Sequence, residues 1–246
     1  MGVPEGTPVP TEETADRYEE IDAFTDLGVR ALVTTRAAGD LGLAGADPVG
    51  ATLDRWRALR AALGGGTPLA RLASAAQVHG AHIIEHEPGW QGWLRADAAD
   101  GHFSRWRGIA LAVTVADCVP VFLAHPSGAV ALLHAGWRGT AAGIVPRALS
   151  LFAAHGLAPP DVRVHLGPAI CGACYEVGPD VYRAVRGRAG VGPTRLDLRA
   201  VLGEQAQGAG VRDVTTSAWC TRCDAGRFFS HRGGDAGRQV AALVAA

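Results

Sequence analysis

The stretch IALAVTVADCVPVFLAHPSGAVALLHAGWRGT, Ile109–Thr140, sets the architecture of this chain. It contains three short apolar segments, Ile109–Val115, Val119–Ala124 and Ala129–His134, separated by Asp, Pro, Ser and Gly. Segments of this length read as buried strands, far shorter than the roughly 20 apolar residues that a membrane helix needs. Beyond Gly139 the pattern suits a helix reaching His155, so strands give way to a helix across a glycine-bearing turn.

Working outward, the same alternation continues. Upstream, Val29–Thr35 reads as a strand. Leu53–Leu63 reads as a helix, with Leu53, Trp56, Leu59, Ala62 and Leu63 on one stripe and Gly64–Gly66 ending it. Leu72–Val78 and His82–Glu87 read as strands. Downstream, Val162–Leu166 and Val211–Thr215 are strand candidates, and helices are expected at Pro179–Arg188, Leu198–Gly208 and Asp235–Val244. Strands in the middle with helices around them predict an α/β (or α+β) fold. The expectation is a single catalytic domain over residues 21–246 with a mixed central sheet flanked by helices. An acidic, Pro-bearing tail over residues 1–20 has no hydrophobic period and reads as flexible.

Composition narrows the function. The chain has 246 residues, 23 basic and 24 acidic side chains and a net charge of −1, which argues against nucleic acid or an anionic membrane as its main partner. Every basic residue is Arg; the sequence has neither Lys nor Asn. A lysine Schiff base, a Walker-type phosphate loop and N-linked glycosylation are thereby excluded. There is no secretory apolar segment, and the five cysteines include two C-x-x-C pairs, Cys171/Cys174 and Cys220/Cys223. An odd count in that arrangement fits a reducing compartment, so a cytoplasmic protein is expected.

Unusual polar residues collect at strand ends, where α/β proteins tend to place their sites. Gln77-Val78-His79-Gly80 closes one strand, Asp117-Cys118 links two others, and His134-Ala135-Gly136-Trp137-Arg138-Gly139-Thr140 joins a strand to a helix. Singly, a strand-end His is commonly a hydrogen-bonded structural residue and a buried Cys a small hydrophobe. Jointly, His79, Cys118 and His134 make a three-ligand zinc set of the kind that leaves a fourth position open. Arg36, Arg138 and Arg232 are candidates for holding phosphate or carboxylate, Arg138 being the best placed beside its two glycines. The C-x-x-C pairs match a structural-zinc pattern, but a long segment with two expected helices lies between them. Three readings stay open: a four-thiolate clamp on two loops, a redox-labile pair, or four unconnected thiols.

Further motifs follow in order: Gly167-Pro168-Ala169-Ile170, Cys174-Tyr175-Glu176-Val177-Gly178, Leu196-Asp197, Cys220-Thr221 and Phe228-Phe229-Ser230-His231-Arg232. With those above, they resemble the purine nucleoside phosphorylase family formerly called laccase-domain or polyphenol oxidase proteins, the bacterial relatives of FAMIN. The resemblance runs from about Thr34 to the C-terminus. It implies a zinc held by His79, Cys118 and His134, with copper a possible occupant. It also implies phosphorolysis of adenosine, inosine and S-methyl-5′-thioadenosine to base and ribose 1-phosphate, together with deamination of adenosine. The partners implied are purine nucleosides and phosphate, in a monomer or homodimer. The segment Arg36-Ala37-Ala38-Gly39-Asp40 is shorter than the family's usual Gly-Gly-Val-Ser motif and has no Asn, a departure at the rim of the substrate pocket.

On this reading Asp117 is a candidate acid for deamination, or alternatively a turn residue capping backbone N–H groups. Arg138 and the N–H groups after Gly139, with Arg36, are expected to hold phosphate, and Gln77 to read a hydroxyl or ring nitrogen. A cytoplasmic peptidoglycan-precursor editing hydrolase is the alternative. A four-copper phenol oxidase ranks below it, because the nine histidines contain no H-x-H pair.

Overall fold

The structure, a computed structural model, describes residues 16–45, 47–65, 69–188 and 190–246. In chain order the strands are β1 (Tyr18–Glu20), β2 (Val29–Thr34), β3 (Arg71–Ala75), β4 (Ile83–Glu85), β5 (Gly92–Ala96), β6 (Gly101–Ser104) and β7 (Ile109–Val115). They continue with β8 (Val119–Ala124), β9 (Val130–Ala135), β10 (Arg163–Leu166), β11 (Glu176–Val177), β12 (Thr194–Arg195), β13 (Asp213–Thr216) and β14 (Gln239–Ala245). The α-helices are α1 (Val49–Leu63), α2 (Trp137–Ala141), α3 (Ile144–Ala154), α4 (Pro179–Arg186) and α5 (Leu198–Gly208).

The expected single domain of mixed α/β structure is present, but instead of one central sheet it has two six-stranded sheets and a two-stranded β11–β12 ribbon. The first sheet runs β1-β2-β14-β7-β3-β5, antiparallel from β1 to β7 and parallel from β7 to β5. The second runs β13-β10-β8-β9-β6-β4, parallel at its two margins and antiparallel between them.

Side-chain alternation explains the division. Ile109, Leu111, Val113 and Val115 of β7 pack between the sheets with Phe122, Ala124, Val130 and Leu132. Ala110 and Ala112 turn the other way, onto Trp56, Leu59 and Leu63 of α1. On β8, Val119, Val121 and Leu123 face a cluster with Ile144 and Phe152 of α3 and Leu198 and Leu202 of α5. The layers are therefore helix, sheet, sheet, helix. Strands buried on both faces read as unbroken apolar runs, as Ile109–Val115 does.

Several expectations need correction. Residues 235–244, expected as a helix, supply β14, which inserts between β2 and β7 with all seven residues buried. The helix expected through His155 is broken at Gly143, whose φ of 72° is left-handed, giving α2 and α3. Tyr18–Glu20, within the expected tail, pairs with β2 as β1; the rest of that tail, residues 1–15, lies outside the described residues. Among the described residues no helix is long and apolar enough to cross a membrane.

Candidate metal centre

The β8–β9 hairpin sets two of the three expected ligands side by side. Pro120 pairs with His134 and Val119 with Ala135, so Cys118 stands just beyond the ladder next to Gly136. His79 arrives from the loop after β3, held in a left-handed conformation with φ of 60°. The ligand atoms of His79, Cys118 and His134 all lie within 4.8 Å of one another. The two imidazoles meet edge to face with centroids 4.8 Å apart. His134 is buried, Cys118 half-buried and His79 exposed, so the group opens to solvent on the His79 side.

One buried carboxylate, which no sequence motif marks, organises this group. Asp100, immediately before β6, accepts the His134 Nδ1 proton at 2.8 Å and the His79 N–H at 2.9 Å on Oδ1. Its Oδ2 accepts the Gly80 N–H at 2.6 Å and the Val78 N–H at 3.2 Å. The bond to Nδ1 fixes the ring and leaves Nε2 as the ligand atom, the usual carboxylate–histidine arrangement behind a metal. Burial opposes ionisation of Asp100, yet the hydrogen bonds from His134, Gly80 and His79 hold its carboxyl below the usual range.

The same balance acts on Cys118. Burial alone would raise its thiol, but the positive charge of His134 and hydrogen bonds from His134 and His79 bring it down to about 6. His134 moves the other way: burial opposes its protonation and the charges of Cys118 and Asp100 favour it. The pair thus favours the thiolate, the form that ligates metal. A thiolate and two oriented imidazoles, open on one side, suit zinc or copper.

Glycines let the parts close up. A Cβ on Gly136 would stand 3.0 Å from Cys118 Sγ, and one on Gly139 would stand 2.7 Å from the Gly80 carbonyl oxygen. Gly139, expected as a substrate contact, therefore seats α2 against the His79 loop.

Other expected contacts are engaged elsewhere. The Gln77 amide donates to the Thr114 carbonyl and accepts from the Thr114 N–H and hydroxyl, prolonging the ladder between β3 and β7. Arg36 donates to Asp235 and to the carbonyls of Ala225 and Phe228, with its guanidinium 4.4 Å over the Phe229 ring, so it holds the C-terminal loop. Asp117, at φ of 79°, accepts from the hydroxyls of Thr221 and Ser230 and from the Arg232 N–H. Its carboxylate is thus tied to two side-chain hydroxyls and one backbone N–H.

Arg138 differs. It is exposed at the first turn of α2, its guanidinium 4.3 Å over the Trp137 ring. Arg232 lies 5.1 Å over the Tyr175 ring and donates to the Glu176 carbonyl. Burial, with the charges of Cys118 and Asp117, raises the Tyr175 phenol, against the pull of Arg232 and Arg138. Tyr175 therefore stays a neutral hydroxyl within reach of the charges of two guanidinium groups and of Cys118.

Residues 32–246 match the family described as multi-copper polyphenol oxidoreductase laccase. The chain belongs to this family. Purine nucleoside phosphorylase SCO2081 of Streptomyces coelicolor is 38% identical over 205 residues, 80% of this chain and 83% of that one. Purine nucleoside phosphorylase YlmD of Geobacillus stearothermophilus is 36% identical over 197 residues, 71% of this chain and 72% of that one. The crystal structure of YlmD shares the fold at a TM-score of 0.84 and 32% identity, covering 92% of this chain and 94% of that one. Adenosine deaminase RL5, from an unknown prokaryotic organism, is 34% identical over 151 residues, 55% of this chain and 57% of that one. In this member of the laccase-like family, the metal-competent groups among the described residues are the trio and the four cysteines Cys171, Cys174, Cys220 and Cys223. Neither gathers more than two histidines, whereas a trinuclear copper site is built from many.

Proposed function

We propose that this protein is a zinc-dependent purine nucleoside phosphorylase that releases the base from adenosine, inosine or S-methyl-5′-thioadenosine and leaves ribose 1-phosphate. Adenosine deamination at the same centre is part of the proposal. The observation that carries it is the open His79–Cys118–His134 group beside Arg138, Arg232 and the neutral Tyr175 hydroxyl. The similarity to proteins named purine nucleoside phosphorylase and adenosine deaminase supports it.

His79, Cys118 and His134 would hold a divalent ion, which would supply Lewis acidity to the reaction. The rest falls to the chain itself. Asp100 keeps His134 in one orientation and pins the His79 loop through three N–H bonds. Arg138 and Arg232 offer guanidinium forks of the geometry that phosphate oxygens fit, and their charge offsets that of the incoming anion. The Tyr175 hydroxyl donates to a ribose or phosphate oxygen. Phosphate held there is poised to attack C1′ as the bond to the base nitrogen breaks and positive charge builds on the sugar.

The test is product analysis of metal-quantified protein with each nucleoside, with and without phosphate, beside His79→Ala and Arg138→Ala. Phosphate-dependent release of free base, lost in His79→Ala, is expected. In Arg138→Ala the KM for phosphate should rise about tenfold or more, the scale of one charge-assisted hydrogen bond, with metal content unchanged. Inosine formed from adenosine without phosphate supports the deaminase. Metal-loaded protein that turns over no nucleoside overturns the proposal.

A further inference from the structure

Two segments distant in sequence meet behind the Asp117–Cys118 turn, each carrying a C-x-x-C pair. Ala169 forms a parallel bridge with Cys220, and the Thr221 N–H donates to the Ala169 carbonyl. This pairing stacks the turn at Cys171–Cys174 on the turn at Cys220–Cys223. The four sulfurs all lie within 4.8 Å of one another, and Cys174 Sγ and Cys223 Sγ are 3.4 Å apart.

From this geometry we propose that Cys171, Cys174, Cys220 and Cys223 form a second, structural zinc site, separate from the His79–Cys118–His134 centre. Zinc–thiolate bonds of about 2.3 Å in a tetrahedron place the sulfurs about 3.8 Å apart, in the range found here. An iron–sulfur cluster puts bridging sulfide and several irons between its cysteines and needs a wider cage. At Cys220 the backbone supplies donors that suit a thiolate. Cys220 Sγ accepts two N–H groups, from Cys171 at 3.3 Å and from Cys223 at 3.4 Å. Such bonds hold the Cys220 sulfur in place. Cys220 is buried, Cys171 and Cys174 are half-buried and Cys223 is exposed, so the site sits under the surface with one ligand at the rim. Arg222 donates to the Cys174 carbonyl at 3.2 Å, which places a positive charge beside a centre that is doubly negative once zinc is bound.

The site acts as a staple. Thr221, between two of its cysteines, donates to Asp117 Oδ1 at 2.6 Å, and the Ile170 N–H, next to Cys171, donates to the Asp117 carbonyl at 3.1 Å. Both segments thus grip the residue preceding Cys118, and Tyr175 follows directly on Cys174.

The chain has five cysteines, so Cys118→Ser leaves these four as its only thiols. Metal analysis of protein purified without chelator should show one zinc fewer per chain in Cys174→Ser/Cys223→Ser than in the parent. The loss should persist when both are compared in a Cys118→Ser background. Cobalt added to metal-free Cys118→Ser protein should give the strong sulfur-to-cobalt charge-transfer and visible bands of a tetrahedral four-thiolate centre. This second measurement needs no cysteine of the cluster changed, so it stands even if the double variant does not fold. Unchanged zinc content, iron in place of zinc, absent cobalt bands, or a Cys174–Cys223 disulfide in the isolated protein would each overturn the site.

Discussion

Asp100 shows how much one side chain can organise. It is fully buried and accepts four hydrogen bonds, three from the backbone of the His79 loop and one from His134. Asp100→Asn keeps the shape but turns an amide N–H₂ towards donors. Loss of such a carboxylate behind a ligating histidine costs about 10–100-fold in metal affinity. The expected outcome is weaker zinc retention against a competing chelator by that factor, with a lower melting temperature. An affinity equal to the parent's would mean that His134 needs no orienting partner. At this scale His79, Cys118 and His134 are legible in sequence, because each sits at a strand end beside Gly, Pro or Asp. Asp100 is not legible, because its worth depends on the β6–β9 pairing that sets it opposite His134. The polar groups of Gln77 and Arg36 look free in a sequence and are spent on Thr114 and Asp235 in the fold.

Between elements, the contact of α2 with the His79 loop is the tightest constraint on the centre. Gly139→Ala would put a methyl group 2.7 Å from a backbone oxygen that cannot swing aside. The helix or the loop must move, at a cost of about 1–3 kcal/mol, and the movement is transmitted to His79 one residue away. Gly226→Ala is the control, since its Cβ meets nothing within 4 Å. Thermal melts and metal content should fall for the first and stay near the parent for the second; equal behaviour would refute the coupling. Elements were read best where one face is wet or a glycine ends the run, as at α1 and α5. The strand β14, QVAALVA, is not legible, because its Ala and Leu suit a helix and its complete burial erases any alternation. The short β5 and β6 carry no strand signal, because Trp, Arg, Gly and His give no alternation over four or five residues.

Across the whole molecule, burial without charge compensation sets the acid limit. Burial lowers His86 and His165 to about 4; burial, with the neighbouring His86, lowers His102 to about 3 against the pull of Asp100. His86 and His102 share one ring-to-ring hydrogen bond of 2.9 Å, and the Nε2 atoms of His102 and His165 have no partner among the described residues. Unfolded, these rings take up protons near pH 6.5; folded, they resist until pH 4 or below. The unfolded chain therefore binds more protons across that interval, so stability is full above about 6.5 and declines as pH falls towards 4. Melting of metal-free protein should follow this course, more shallowly in His165→Leu; a flat profile from pH 7 to 5 would refute it.

The position of β14 between β2 and β7 bears on how the chain is made. Until residue 245 has left the ribosome, the first sheet exists as two unjoined pieces, β1–β2 and β7–β3–β5, each showing a bare apolar edge. Assembly of that sheet thus waits for its last strand to be made, and a nascent chain stalled before Gln239 is a template for aggregation.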